Sequence, residues 1–182
     1  MVNDFKSNLN IYRLDANFQK LASNFSCGNI TIDNFLKSSN AIDSSIGITY
    51  VWLDADNKEV LGYYNYTTGS LDIIDNDYRI KSGGAVHLNE FAMAEKCHGL
   101  SINEINMSDM LLDDFITRVS YIKENCIGFT FITLRSTNMG YNLYKRHDFE
   151  DVEDDMDFAP TEGKDSDGGR MMYLPLVLID EI

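Results

Sequence analysis

Two periods of hydrophobic and polar positions alternate along the chain, and the switches between them mark its elements. Leu9 to Leu14 (LNIYRL) reads as a first strand, and a stretch from Asp15 to about Ser23 follows at helical spacing. After a Cys-Gly-Asn turn, Asn29 or Thr31 caps a short helix in which Ile32, Phe35 and Leu36 share a face and Asp33 complements the helix dipole. Gly47 to Leu53 and Val60 to Thr67 are rich in β-branched and aromatic residues, and the turn chemistry of Asp54 to Lys58 between them predicts an antiparallel hairpin. Residues 71 to 84 read as a connecting excursion that ends at Gly83-Gly84, ahead of a strand from Ala85 to about Ala94.

A polar, glycine-containing stretch from Glu95 to Asn106 leads into the clearest helix. There Met107, Met110, Leu111, Phe115, Val119 and Ile122 recur at helical spacing up to about Glu124, a stripe that reads as core packing. Ile127 to Leu134 (IGFTFITL) is a nearly continuous apolar run suited to a strand covered on both faces. A helix from about Asn138 to His147, a strand at Phe149 to Val152, an exposed acidic loop between Glu150 and Asp167, and a strand at Arg170 to Val177 complete the pattern. The order is β-α-α-β-β-β-α-β-α-β-β. It predicts an α/β (α+β) fold with a central mixed, mostly antiparallel sheet of about six or seven strands flanked by about four helices.

Composition narrows this picture. A chain of 182 residues, 44% hydrophobic and with only 2 Pro, carries no linker, repeat or low-complexity block, so residues 1–182 read as a single domain. The N-terminus lacks a basic and apolar leader and no stretch is long and apolar enough to span a membrane, so a cytoplasmic protein without membrane partners is expected. Cys27, Cys97 and Cys126 form no C-x-x-C pair and read as buried reduced thiols; no metal site is expected. With 29 acidic against 15 basic residues and a formal charge of −14, nucleic acid is disfavoured as a partner and cationic molecules are favoured.

Three segments carry a resemblance. Leu143-Tyr144-Lys145-Arg146-His147-Asp148-Phe149, with Gly140 at the small-residue position, is similar to the "A-x-x-(F/L)-Y-x-x-x-G-F" ending of the last helix in the GNAT superfamily of N-acetyltransferases. Asp148 stands where glycine is usual, and Thr137 where an asparagine often starts the helix. Phe25-Ser26-Cys27-Gly28-Asn29 with Ile32-Asp33-Asn34-Phe35-Leu36 resembles the "F-x-C-G-N-x-x-(I/L)-D-x-(F/W)-L" segment of a GNAT branch that contains tRNA-acetylating toxins, as does the ending Met172-Tyr173-Leu174-Pro175-Leu176. The predicted element order is also that of GNAT enzymes.

The resemblance implies an acetyl-CoA-dependent acyltransferase acting on a primary amine, small-molecule or protein, as a monomer or homodimer. It gives Tyr144 the role of acid toward the departing thiolate, and the main-chain N–H groups of Ala92 and Met93 the contacts to the acetyl carbonyl and pantetheine. Aligning Phe91-Ala92-Met93 with the family's "L-A-V" places His87 five residues before the alanine, where lysine-acetyltransferase members carry a catalytic Glu. A histidine there suits an amine proton, with an unperturbed pKa of about 6.5. Its alternative reading is a strand residue with a local hydrogen bond. Glu90 is the second candidate base, although strand alternation points it to the face opposite His87.

The poorest match falls where the family binds the CoA pyrophosphate with a "(Q/R)-x-x-G-x-(G/A)" loop at a helix N-terminus. Here the stretch carries Gly99 alone, Asn106 and Ser108 occupy the glycine positions flanking Met107, and Asp109 lies in the first turn. Lys96, His98, Ser101 and Ser108 are the polar groups that compensate if CoA is bound. Two further readings therefore accompany the enzyme: a GNAT-fold binding or regulatory module without catalysis, and a toxin acetylating aminoacyl-tRNA.

Overall fold

The protein is described by a computed structural model covering residues 9–75, 78–160 and 169–176. Its elements are β1 (Ile11–Arg13), α1 (Ala16–Gln19), α2 (Ile30–Lys37), β2 (Ile48–Leu53), β3 (Val60–Asp75), β4 (Tyr78–Met93), β5 (Ser101–Ile102), β6 (Ile105–Asn106), α3 (Met107–Asn125), β7 (Phe131–Ser136), α4 (Tyr141–Arg146), β8 (Glu150–Asp151), β9 (Met156–Ala159) and β10 (Arg170–Pro175). Hydrogen-bonded neighbours run β1-β2-β3-β4-β7-β10-β8, with β9 beside β3, giving an eight-stranded sheet. The β4–β7 pair is parallel, and the other described ladders are antiparallel. This is the mixed, mostly antiparallel sheet expected, one strand larger.

The chain forms two compact units, 1–67 with 89–121, and 68–88 with 122–182; β3 and β4 each give one end to both. In the first unit, Asp15 caps α1 by accepting from the N–H groups of Asn17 and Phe18, and Asn29 caps α2 by accepting from those of Thr31 and Ile32. α1 ends early and passes into a 3₁₀ turn at Lys20–Asn24. Asp33 does more than complement a dipole: it is buried, and its carboxylate accepts from the Cys27 N–H at 2.8 Å, which fastens the Cys-Gly-Asn turn. Gly28 takes φ +85 in that turn, the left-handed region where a side chain is strained.

Leu111, Leu112, Phe115 and Val119 of the apolar stripe of α3 are fully buried, and Leu111 lies close to Gly62 of β3. Phe115 contacts Tyr64 and Tyr66 at ring-centroid distances of 5.4 and 5.8 Å. Arg118, Tyr64 and Asp114 form a buried polar network beside Phe115. Arg118 Nε donates to Tyr64 Oη at 2.8 Å, Tyr64 Oη donates to Asp114 Oδ2 at 2.6 Å, and the guanidinium lies 3.9 Å from the centre of the Tyr50 ring.

In the second unit, β10 pairs with β7 over six positions, from Arg170↔Ser136 to Pro175↔Phe131. Ile132, Leu134, Phe149 and Met172 are its fully buried apolar residues. α4 closes with a Schellman-type cap in which the Phe149 N–H donates to Tyr144 O at 3.1 Å and the Asp148 N–H to Lys145 O at 3.4 Å. Asp148 takes φ 62, so the position usually held by glycine does need the left-handed conformation, which Asp tolerates better than most residues. Asp148→Gly is therefore expected to raise stability by about 0.5–1 kcal/mol, a gain of a few degrees in Tm. An unchanged or lower Tm would show that the Asp148 side chain compensates for its backbone.

Several expectations are corrected. Residues 71 to 84 are not an excursion: β3 continues to Asp75 and β4 begins at Tyr78, because Ser70–Ile73 pair with Ala159–Met156 of β9. That strand lies inside the acidic stretch read as an exposed loop; 161–168 fall outside the described residues. The apolar run gives a strand only from Phe131, with Ile127 63% exposed, and α4 starts at Tyr141, after a turn in which Thr137 Oγ1 accepts from the Gly140 N–H at 3.1 Å. Cys97 is buried, Cys27 is half-buried and Cys126 is exposed, so the reading of three buried thiols holds for Cys97 alone. The end of the last strand at Val177 lies outside the described residues. Among the described residues no helix is long and apolar enough to cross a membrane.

Candidate active site

His87 and Tyr144 both lie in the second unit. β4 and β7 run parallel with His87 opposite Thr133, and His87 Nδ1 is 2.9 Å from Thr133 Oγ1. The imidazole is only 6% exposed and Thr133 is fully buried. Gly69 of β3 passes so close that an added Cβ would meet His87 Cβ at 3.2 Å. Burial, and after it the positive charge of Arg135, lowers the His87 pKa to about 4. The ring is thus neutral at physiological pH and has a lone pair for a proton, but it is a weak base.

This depression links to stability. The unfolded chain takes up a proton near pH 6.5 and the folded one only near pH 4, so stability is complete above pH 6.5 and falls as pH drops toward 4. The loss attributable to His87 is about 3 kcal/mol. In urea unfolding at pH 7.5, 5.5 and 4, His87→Gln should lose correspondingly less than wild type as the pH falls. Equal losses would refute the depressed pKa.

Tyr144 projects from the middle of α4 and is 6% exposed. Its ring meets Phe149 edge-on at 5.6 Å, and Gly140 admits it closely, since an added Cβ there would lie 3.2 Å from Tyr144 Cε2. The Tyr-x-x-x-x-Phe spacing is therefore structural in part: the cap of α4 brings both rings together. Lys145 is 3.7 Å from Asp151, and the Arg146 guanidinium donates to Asn142 O at 3.2 Å.

The other candidates lie in the first unit. Ala92 and Met93 are buried at the end of β4, and Glu90 is half-buried on the same strand. The His98 Nε2 is 3.0 Å from Met93 O. Lys96 is exposed and forms an ion pair with Glu59. A groove of about 290 Å³ lies beside this strand end, lined by Phe25, Ser26, Glu59, Ala94, Glu95 and Lys96.

Residues 95 to 106 are not an open loop. A 3₁₀ turn at Glu95–Cys97 leads past Gly99, at φ +70, into the β5–β6 hairpin, whose two central residues Asn103 and Glu104 take φ 50 and 68 as a two-residue hairpin turn of the primed type does. Asn106 Oδ1 accepts from Ser101 Oγ at 3.0 Å, and the buried Met107 donates its N–H to Leu100 O at 3.0 Å. Ser108 and Asp109 follow, half-buried, in the first turn of α3. The near-symmetrical Ser-Ile-Asn-Glu-Ile-Asn, with apolar residues flanking a two-residue turn, is the signal that identifies the hairpin. Among the described residues no group of three or more His, Cys, Asp or Glu is placed to hold a metal.

No protein-family model and no curated protein sequence matches the chain. Solved structures do match in fold. A Tyr→Phe variant of KacT is similar at a TM-score of 0.69 with 16% identity, covering 91% of this chain and 93% of that one. AtaT complexed with acetyl-methionyl-tRNAfMet matches at 0.66 with 17% identity, covering 91% and 93%. A Tyr→Phe variant of the AtaT toxin, bound to the C-terminus of the antitoxin AtaR and acetyl-CoA, matches at 0.64 with 16% identity, covering 91% of both chains. The fold shared with these toxins is the GNAT fold.

Proposed function

We propose that this chain is an acetyl-CoA-dependent N-acetyltransferase that acts on a primary amine, with a cationic small molecule or protein amine as acceptor. The observation that carries it is a GNAT fold, shared over nine-tenths of the chain with a toxin solved with acetyl-CoA, in which Tyr144 is seated on α4 by Gly140 and Phe149. That AtaT and KacT were both studied as Tyr→Phe variants supports a chemical role for such a tyrosine.

In this reading the neutral amine attacks the thioester carbonyl, the N–C bond forms and the C–S bond breaks without a covalent acetyl-enzyme. The amine proton passes to the neutral His87 imidazole, directly or through water, while Glu90 is the alternative acceptor. The Tyr144 hydroxyl gives its proton to the departing thiolate. Main-chain N–H groups of Ala92 and Met93 bind the acetyl carbonyl, and the cofactor's phosphates are held by the segment containing Lys96, His98, Gly99, Asn106, Met107 and Ser108. With Lys96 engaged by Glu59 and the hairpin in place of a glycine loop, this segment would bind phosphate through backbone groups at the start of α3.

A second reading is a toxin acetylating aminoacyl-tRNA, favoured by the AtaT complex with acetyl-methionyl-tRNAfMet. The charge of −14 weighs against a polyanionic acceptor. Transfer of labelled acetyl from acetyl-CoA to spermidine, a lysine peptide and methionyl-tRNA separates the readings. Labelling of a cationic amine at least tenfold above the tRNA is expected. Label on the tRNA alone would establish the second reading, and none on any acceptor would favour a binding module.

A further inference from the structure

His87 is held from one side by a hydroxyl. Thr133 lies directly opposite it on the parallel strand β7, fully buried, with its Oγ1 2.9 Å from the imidazole Nδ1. The backbone of Thr133 is fixed from its far side as well, where it pairs with Tyr173 of β10. On β3, Gly69 comes close to the stem of the histidine, and a Cβ added there would also meet Ala159 O of β9 at 2.4 Å. The ladder therefore sets the place of both side chains, and Thr133 engages one ring nitrogen.

Which imidazole nitrogen carries the lone pair is decided by the hydrogen bond that the other one makes. His98 shows the rule with a fixed answer. Its Nε2 is 3.0 Å from Met93 O, and a carbonyl only accepts, so the proton sits on Nε2. A hydroxyl accepts or donates by turning its hydrogen, with no movement of heavy atoms. An imidazolium, however, has a proton on both nitrogens, so toward that ion Thr133 must accept from Nδ1. Starting from the Nδ1–H tautomer, a proton added at Nε2 gives the ion with the Thr133 bond unbroken. Starting from the other tautomer, the proton would have to enter at Nδ1, the nitrogen that buried Thr133 covers. Being uncharged, the hydroxyl orients the ring without stabilising the imidazolium as a carboxylate would.

We infer that Thr133 is a positioning residue for His87: it accepts the Nδ1 proton and so leaves Nε2 to take the proton of the attacking amine. This rests on the acetyltransferase reading with His87 as the proton acceptor. The amine lone pair forms the N–C bond, the C–S pair leaves on sulfur and takes the Tyr144 proton, and the amine proton goes to Nε2. Exchange with water then returns the imidazolium proton to the phenolate. Nitrogen-15 spectra of the imidazoles, recorded on the protein alone at pH 7.5, read the tautomer directly, with His87→Gln assigning the signals and His98 as the Nε2–H reference. His87 is expected as Nδ1–H, the form opposite to the one histidine favours in water. In Thr133→Val that preference should be lost, and with spermidine as acceptor kcat should fall at least tenfold while the acetyl-CoA Kd stays within about twofold. Thr133→Ser, which keeps the hydroxyl, should retain the Nδ1–H form and a kcat within about threefold of wild type. An Nε2–H signal for His87 in the wild type would overturn the inference whatever the activity, as would a Thr133→Val variant with tautomer and kcat unchanged. Absence of transfer by a wild type that shows the Nδ1–H signal would sink the acetyltransferase reading and leave the orientation by Thr133 standing.

Discussion

Tyr144→Phe should lower turnover about 10²-fold or more while acetyl-CoA affinity stays within about twofold, because a positioned general acid contributes on the order of 10²–10⁴. The substitution is clean on structural grounds. Phe keeps the ring that packs edge-on against Phe149 and fills the space left by Gly140, so helix and cap are retained. Only the hydroxyl is lost, and with it the proton for the leaving thiolate. Steady-state kinetics and calorimetry together check this. An unchanged rate would remove Tyr144 from the chemistry, whereas equal losses in rate and affinity would make its role one of binding.

The largest effect on stability is expected from Asp114→Ala, at about 3–5 kcal/mol. Asp114 and Arg118 are 7% and 6% exposed, one turn apart on α3, with Arg118 Nη2 at 3.4 Å from Asp114 Oδ2 and Tyr64 Oη bridging the two. Removing the carboxylate takes the Asp114 charge away from the buried guanidinium and the acceptor at Oδ2 away from the Tyr64 hydroxyl. Domains of this size hold about 5–15 kcal/mol in all, so the variant should unfold at a much lower urea concentration. Replacing both charges, as in Asp114→Leu with Arg118→Met, should recover most of the loss. A double variant as unstable as the single one would mean that the network contributes shape and not charge balance.

The sequence was legible wherever one physical period ruled alone. The α3 stripe and the β2–β3 hairpin follow directly from their spacing, and of the two caps that side-chain chemistry offers for α2, Asn29 and Thr31, it is Asn29 that caps. β9 was missed because its residues, Met-Asp-Phe-Ala, sit amid carboxylates, and nothing local reveals that β3 extends to meet them. The long reach of β3 and β4 was concealed likewise, since Gly83-Gly84 reads as a turn but lies within β4. There an added Cβ at Gly83 would meet the Phe131 ring at 2.5 Å, so this glycine serves close packing and not a bend.

For the candidate site, residue types were legible and environments were not. His87 reads as a residue able to take a proton near neutrality; burial beside Thr133 and the charge of Arg135 make it much less basic, a property of β7 that no local pattern carries. Asp148 was legible as a departure from the glycine of the motif, and its φ of 62 explains why glycine is preferred there.

A GNAT fold with a hairpin in place of the glycine loop is expected still to serve acetyl-CoA. Calorimetric titration of the full chain with acetyl-CoA decides the matter. Saturable binding of one molecule per chain at micromolar concentration is expected, weakened at least tenfold when Ser108 and Asp109 are replaced by prolines that remove N–H donors in the first turn of α3. No heat of binding at high micromolar acetyl-CoA would contradict it.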